Sequence, residues 1–564
     1  MKSMFALQQF KKCIILFIVG IMSSFLTYLI YIADPVKLIL EYNLQMAPHS
    51  MLFSIWKKPP LDLYLNIYIF NITNSEEFLH GKEKLKVEQL GPYVYQEFLE
   101  NDNVTFNDND TITFIPRRKV VYVPEMSVGD PKKDKVMVPN IAYLGVSSAL
   151  HNAGFFVNYP FMQLANMMNT KTILNISVYD YLWGYEDSMV SLASKIVPNF
   201  ITFQKLGLLD RHCTVSRNTH DFRTHLSPVA LTIQMYDEGE NIVTLNLRKD
   251  VDMTIEKGRY LSIDKYNGSP GLAQWGYVGT EGNETKKENN NCNTLQGATE
   301  GIIFPSNIDK RAIFRVFRKA FCRALPIMYR KETWAKNGLP GYLYTLTDDF
   351  ADLPDQNPDN ACFCRKMKSC LKKGLLDVTP CYYNIPAAVS LPHFLRADPS
   401  LLENIEGLNP DEEKHESYVI LQQVVGVPIF FHSRLQTNLV MHHTKYNTKI
   451  APFNDMVLPL FWFDMTILTI PTYLLILLKL ILQILPIAQT ILMYVLGIIG
   501  VTTIVLSLMS ILWVLNQEQK QEHEASNRSI DSTDLRVPLY NGPYTSINIL
   551  PTIKKMTSKT DLFS

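Results

Sequence analysis

The residues best placed to do chemistry are cysteines. Cys292, Cys322, Cys362, Cys364, Cys370 and Cys381 crowd one part of the chain, while Cys13 and Cys213 stand apart. Thiols this close either ligate a metal or oxidise in pairs. Cys362-Phe363-Cys364 beside Cys370 has the density of a zinc site, yet the Cys-x-x-Cys spacing of structural zinc is missing. Sequons at Asn71, Asn103, Asn109, Asn175, Asn267 and Asn283 mark an exported, glycosylated surface, and that setting favours oxidation. Disulfides are therefore expected, with the pairing open among the combinations six thiols allow. His442-His443 would point to opposite faces of a strand, which suits a surface pair better than a metal site. Asp348-Asp349, with Asp352 and Asp355 nearby, reads as a solvated acidic loop rather than a carboxylate dyad. No G-x-S-x-G elbow, H-E-x-x-H helix, Walker A loop or dinucleotide-binding glycine turn occurs. The chain is expected to bind or transport rather than act as an enzyme, with no cofactor and no metal.

What must position these residues is a large body held between two apolar ends. Of 564 residues, 47% are hydrophobic and 19% charged, which excludes a disordered chain. Lys+Arg 54 balances Asp+Glu 54, so there is no electrostatic footprint for nucleic acid. From Cys13 to Ile32 no charge occurs, and Lys2, Lys11 and Lys12 precede the run. Twenty helical residues cross about 30 Å of hydrocarbon, and the leading lysines keep the N-terminus cytosolic. No small-residue cleavage site follows, so the run reads as an uncleaved anchor.

The second apolar region covers 466–515. Thr472, Lys479, Gln483 and Thr490 fall on one helical stripe, and Pro471 and Pro486 bracket a separate piece. One span over 487–515, preceded by an interfacial amphipathic helix at 466–486, is the expected arrangement. The layout is then a cytosolic tail 1–12, span 13–32, body 33–486, span 487–515 and cytosolic tail 516–564. Cys13 at the membrane edge is a candidate for lipidation or an unmodified membrane-facing residue. In the solvated tail, Tyr544-Thr-Ser-Ile547 has the Tyr-x-x-apolar form that clathrin adaptors read.

Within the body, apolar residues mostly alternate, as at Val243, Leu245 and Leu247 and again from Leu435 to Met441, which predicts half-buried antiparallel strands. Residues 141–151, 160–170 and 178–192 carry helical spacing instead. Phe161–Met168 is rich in methionine, with Phe161, Met162, Met167 and Met168 available either as adaptable ligand contacts or as plain core.

Several strings make the chain resemble the class B scavenger receptor family of fatty-acid translocase, lysosomal integral membrane and sensory neuron membrane proteins. They include Trp56 with Pro59-Pro60, Tyr68-Ile-Phe-Asn-Ile-Thr-Asn74, Gly91-Pro-Tyr-Val-Tyr95 and Leu182-Trp-Gly-Tyr185. Tyr266-Asn-Gly268, Cys362-Phe-Cys364, Ser390-Leu-Pro-His-Phe394, Arg434-Leu-Gln436 and Leu458-Pro-Leu-Phe-Trp-Phe-Asp464 follow in order. The resemblance covers about residues 10–515. It implies an α+β membrane protein whose large antiparallel β-barrel ectodomain carries an apical helical bundle, about 141–205, and an internal apolar tunnel. It also implies the pairs Cys292–Cys362, Cys322–Cys381 and Cys364–Cys370.

The function it implies is a receptor for lipids, fatty acids or lipoprotein-like particles that passes apolar cargo to the membrane. Such a conduit spares the cargo about 0.8 kcal/mol for each methylene otherwise exposed to water. Lys171, the one lysine between Val136 and Ser194, is the candidate cation at the capture site; it departs from the family's apex lysine, and an ordinary exposed lysine reads the same way. Asp180, Glu186 and Asp187 work against strong polyanion binding. The rival functions are recognition of microbial or apoptotic surfaces and escort of a lumenal protein. The plasma membrane is the expected location, with the endosomal or lysosomal membrane as the other setting.

Overall fold

The strand Leu63–Ile72 shows how the alternation becomes architecture. Leu65, Ile67 and Ile69 are buried, while Tyr64, Asn66 and Tyr68 between them are only partly covered. It pairs antiparallel with Leu85–Asn107 on one side and Val457–Ile467 on the other. At the bulge between Ile67 and Ile69 the chain opposite is Gly91, whose φ is 145°; a Cβ there would lie 2.6 Å from the Ile67 carbonyl oxygen.

The computed structural model describes residues 2–196, 205–209, 232–234, 241–248, 260–279, 289–364, 370–382 and 384–531. It divides into two compact units: Pro35–Ile487, and Met1–Asp34 with Ala488–Ser564.

In the first unit the main sheet runs in the order Ile263–Tyr266, Val243–Asn246, Thr111–Tyr122, Leu85–Asn107, Leu63–Ile72, Val457–Ile467, Val427–Val440, Tyr418–Gln422, Pro340–Leu346, Arg323–Trp334, Phe314–Arg318. Every pairing along this path is antiparallel. The path is open, so the closed barrel expected from the resemblance is not formed by strand ladders among the described residues. The reason lies between the two edges. Residues 295–301 bond to both edges, Ile263 N–H donating to the Ala298 carbonyl and Thr299 N–H to the Arg315 carbonyl. Gly297 and Gly301 hold positive φ there and stop the segment from becoming a strand.

The expectation of half-buried strands also needs correcting. Arg434 to Val440 is buried without a break, because Ala387–Ser390 pairs beside it and the helix Ile141–Ala149 covers it, Ser148 Oγ donating to the Val440 carbonyl. The helices Phe155–Met167, Val178–Trp183 and Ser188–Ile196 occupy the region expected to be helical. Gly184, at φ 115°, separates the last two where one run was expected. Phe155–Met167 begins before Pro160 and carries that proline inside.

Three disulfides, Cys292–Cys362, Cys322–Cys381 and Cys364–Cys370, tie the segment following the irregular edge. Replacing Cys322 and Cys381 by Ser, 59 residues apart, is expected to cost about 2–4 kcal/mol by releasing unfolded-chain entropy. The urea midpoint of the body reads this; an unchanged midpoint would count against it.

In the second unit the helices Lys2–Ala33 and, from Ala488 onward, Leu485–Asp531 pack together. Ser23 Oγ donates to the Leu496 carbonyl and Ser507 Oγ to the Cys13 carbonyl, and Cys13 is buried. Gly20 permits the close approach, since a Cβ there would meet Ile504 at 2.6 Å. The two terminal apolar segments, Phe10–Asn43 and Thr472–Glu524, are long enough to cross a bilayer, and the chain matches a two-span membrane protein.

Pro486 does not interrupt the helix as expected. The π turn Leu480–Ile484 precedes it and accommodates its missing N–H. The helix also continues through 516–531, because Gln, Glu, Lys and Ala there are strong helix formers. Cys213, Asn283, Tyr544 and Ile547 lie outside the described residues.

Candidate functional site

The inward side chains of the sheet line a partly open cavity of about 210 Å³. Period-two pairs supply the wall: Glu97 and Leu99, Val316 and Arg318, Leu325 and Ile327, Phe431 and Leu435 with Ser433 between, Met465 and Ile467. The helix Met51–Lys57 closes one side with Leu52, Ile55 and Trp56. The few polar groups on this wall are largely spoken for. Arg118 Nη1 lies 3.3 Å from Glu97 Oε1, His432 Nδ1 lies 2.8 Å from Asp464, and Ser417 Oγ bonds the backbone of Arg434. What remains is an apolar interior. Trp56 contributes ring atoms to it, while its Nε1 is buried away from the space without a hydrogen-bond partner among the described residues.

The strings that carried the resemblance form the frame behind this cavity. Asn409 N–H donates to His393 Nδ1, which leaves the proton on Nε2 to donate to Gln89 Oε1 at 2.7 Å. Trp462 Nε1 donates to the same oxygen at 2.8 Å, and Tyr68 stacks on Trp462 with centroids 4.1 Å apart. Trp183 Nε1 donates to Tyr95 Oη, joining two further strings. Arg434, buried, reaches Asp464 at 3.2 Å and the carbonyls of Glu413 and Glu416. These residues hold the strands in register; the cavity itself is lined mainly by others.

None of the apical candidates lines the cavity. Lys171 is exposed, and its carbonyl accepts from Asn140 Nδ2. Phe161 and Met168 are half-buried against the core, Met162 is partly covered, and Met167 is 84% exposed. The same helix exposes Phe156 at 89%, and Phe155 packs on Tyr159 and Tyr446. The apex is thus an outward apolar surface separate from the interior space. Among the sequons, Asn103, Asn109, Asn175 and Asn267 are exposed, whereas Asn71 is half-buried and accepts from Met137 N–H. His442 stacks near His151 and His443 Nδ1 meets Asp455, so the neighbouring histidines face different partners. Sequence reading missed the cavity residues. Their signal was present as strand alternation, but no single strand reveals that its inner face borders a void.

Comparison with known proteins gives one family: the profile described as the CD36 family matches residues 13–511. The chain is 26% identical to scavenger receptor class B member 1 of Sus scrofa over 422 residues, 75% of this chain and 74% of that protein. It is 29% identical to lysosome membrane protein 2 of Homo sapiens over 431 residues, 76% and 79% of the two chains.

Proposed function

Because the chain belongs to the CD36 family, we propose that it is a scavenger-type receptor that binds lipids or lipid-bearing particles and passes apolar cargo to its membrane through the cavity inside the sheet. The observation that carries this reading is the cavity: mostly apolar walls, with Arg118 paired to Glu97 and His432 to Asp464. Capture falls to the apical helices, where Phe156 and Met167 offer exposed apolar contact and Lys171 a nearby charge. Both termini face the cytosol in this reading, and the sequons and disulfides face outward. The plasma membrane fits particle capture, and Tyr544 with Ile547 would direct endocytosis through clathrin adaptors.

Ile327→Trp, which fills the cavity from its wall, is expected to reduce labelled-lipid uptake several-fold at matched surface expression, with particle adhesion retained. Leu325→Phe is the milder version. Uptake that persists in both variants would remove the cavity from the transfer route and favour adhesion or escort of a protein partner instead.

A further inference from the structure

The helix Thr472–Lys479 and the turn after it have two apolar faces, one more than a helix resting on a water-soluble body needs. Leu474 and Leu478 are buried in a core cluster that also holds Leu44, Trp56 and Leu339. Tyr473 is 64% exposed, Ile476 61%, Leu480 40% and Ile484 55%, at the three- and four-residue spacings of a single helical stripe. Two further elements packed on the same cluster behave alike. The hairpin between Arg323–Trp334 and Pro340–Leu346 buries Ala335 and Leu339 but leaves Trp334 68% exposed. Beside it Lys336 Nζ lies 5.3 Å from the Phe430 ring. A Cβ on Gly338 would lie 3.4 Å from Lys479 Nζ, so hairpin tip and helix are in contact. The helix Pro35–Asn43 has no buried residue, and Leu38 and Tyr42 stand 54% and 73% exposed.

Singly exposed apolar residues are ordinary on a protein surface; three elements exposing them around one cluster are not. Both chain ends of the body are here: Pro35 follows the first apolar helix directly, and Ile484 precedes the second. Trp and Tyr with neighbouring Lys is the composition that seats at the headgroup boundary of a bilayer, where rings are half wet and ammonium groups reach water.

We propose that this base of the body is a membrane-seated surface, with Trp334, Tyr473, Ile476 and Tyr42 inserted at the boundary between headgroups and acyl chains of the bilayer that the terminal helices cross. The body then rests in the membrane surface instead of standing clear of it. Because Met51–Lys57 belongs to the same cluster through Leu52 and Trp56, the helix that closes one side of the cavity is brought to the membrane side.

The test uses the full chain in phosphatidylcholine nanodiscs with bromine on acyl carbons near the headgroup. Trp513→Phe provides the background, since Trp513 is exposed on the C-terminal apolar helix and would also be quenched. The fluorescence lost on adding Trp334→Phe is the Trp334 signal. We expect that signal to be quenched several-fold by brominated lipid and shielded from aqueous iodide. Tyr473→Trp in the doubly substituted protein should behave the same way, and Trp513→Tyr serves where Trp513→Phe does not accumulate. A Trp334 signal open to iodide and untouched by bromine would overturn the proposal. So would shielding from both with two copies per disc, which would make a second copy the occupant.

Discussion

Arg434→Ala should lower the unfolding free energy of the body by about 3–5 kcal/mol, the range for removing one partner of a buried ion pair. Arg434 and Asp464 both have side chains only 10% exposed, and the guanidinium also donates to the Glu413 and Glu416 carbonyls. Truncation strands the Asp464 carboxylate with His432 alone and takes a donor from the Glu413 and Glu416 carbonyls. The effect comes from that stranded charge more than from the worth of the pair. Arg434→Met with Asp464→Leu, which removes both charges, should therefore be less destabilised than Arg434→Ala. Urea midpoints in one detergent compare them; a single variant within about 1 kcal/mol of the parent would contradict the argument.

The second large effect is with pH. His393 and His415 stack at 4.3 Å, and burial holds both rings down at about 4, with the charge of His415 adding to the cost of protonating His393 and that of Arg434 to the cost of protonating His415. Asp411 pulls His415 the other way and Lys414 opposes it. A folded-state value below the unfolded one means that the unfolded chain takes up protons first as pH falls. Stability from these rings is complete above pH 6.5 and is lost on descending toward pH 4. Near pH 5 the pair should cost about 2–4 kcal/mol relative to neutral pH. Glu416, which burial holds above its ordinary range, titrates with the opposite sign. The decisive comparison is thus His393→Gln with His415→Phe, whose melting temperature should fall less between pH 7 and 5. An equal fall in both proteins would assign the pH dependence elsewhere.

Much of this protein was legible without coordinates. Cys13–Ile32 announces a membrane helix by composition alone, because a run without charge has no other stable surroundings at that length. Leu65, Ile67 and Ile69 announce a strand because one face of a pleat must be dry. Such signals are local, and each reports on a single face of a single element.

Tertiary structure decided what depends on several elements at once. Arg434 to Val440 is buried on both faces only because a helix lies over it. The sheet stays open because two glycines interrupt the segment joining its edges. Gln89, His393 and Trp462 share one oxygen across more than three hundred residues of chain. The cavity takes a few side chains from each of many strands, and a void formed by packing leaves no mark on any one of them.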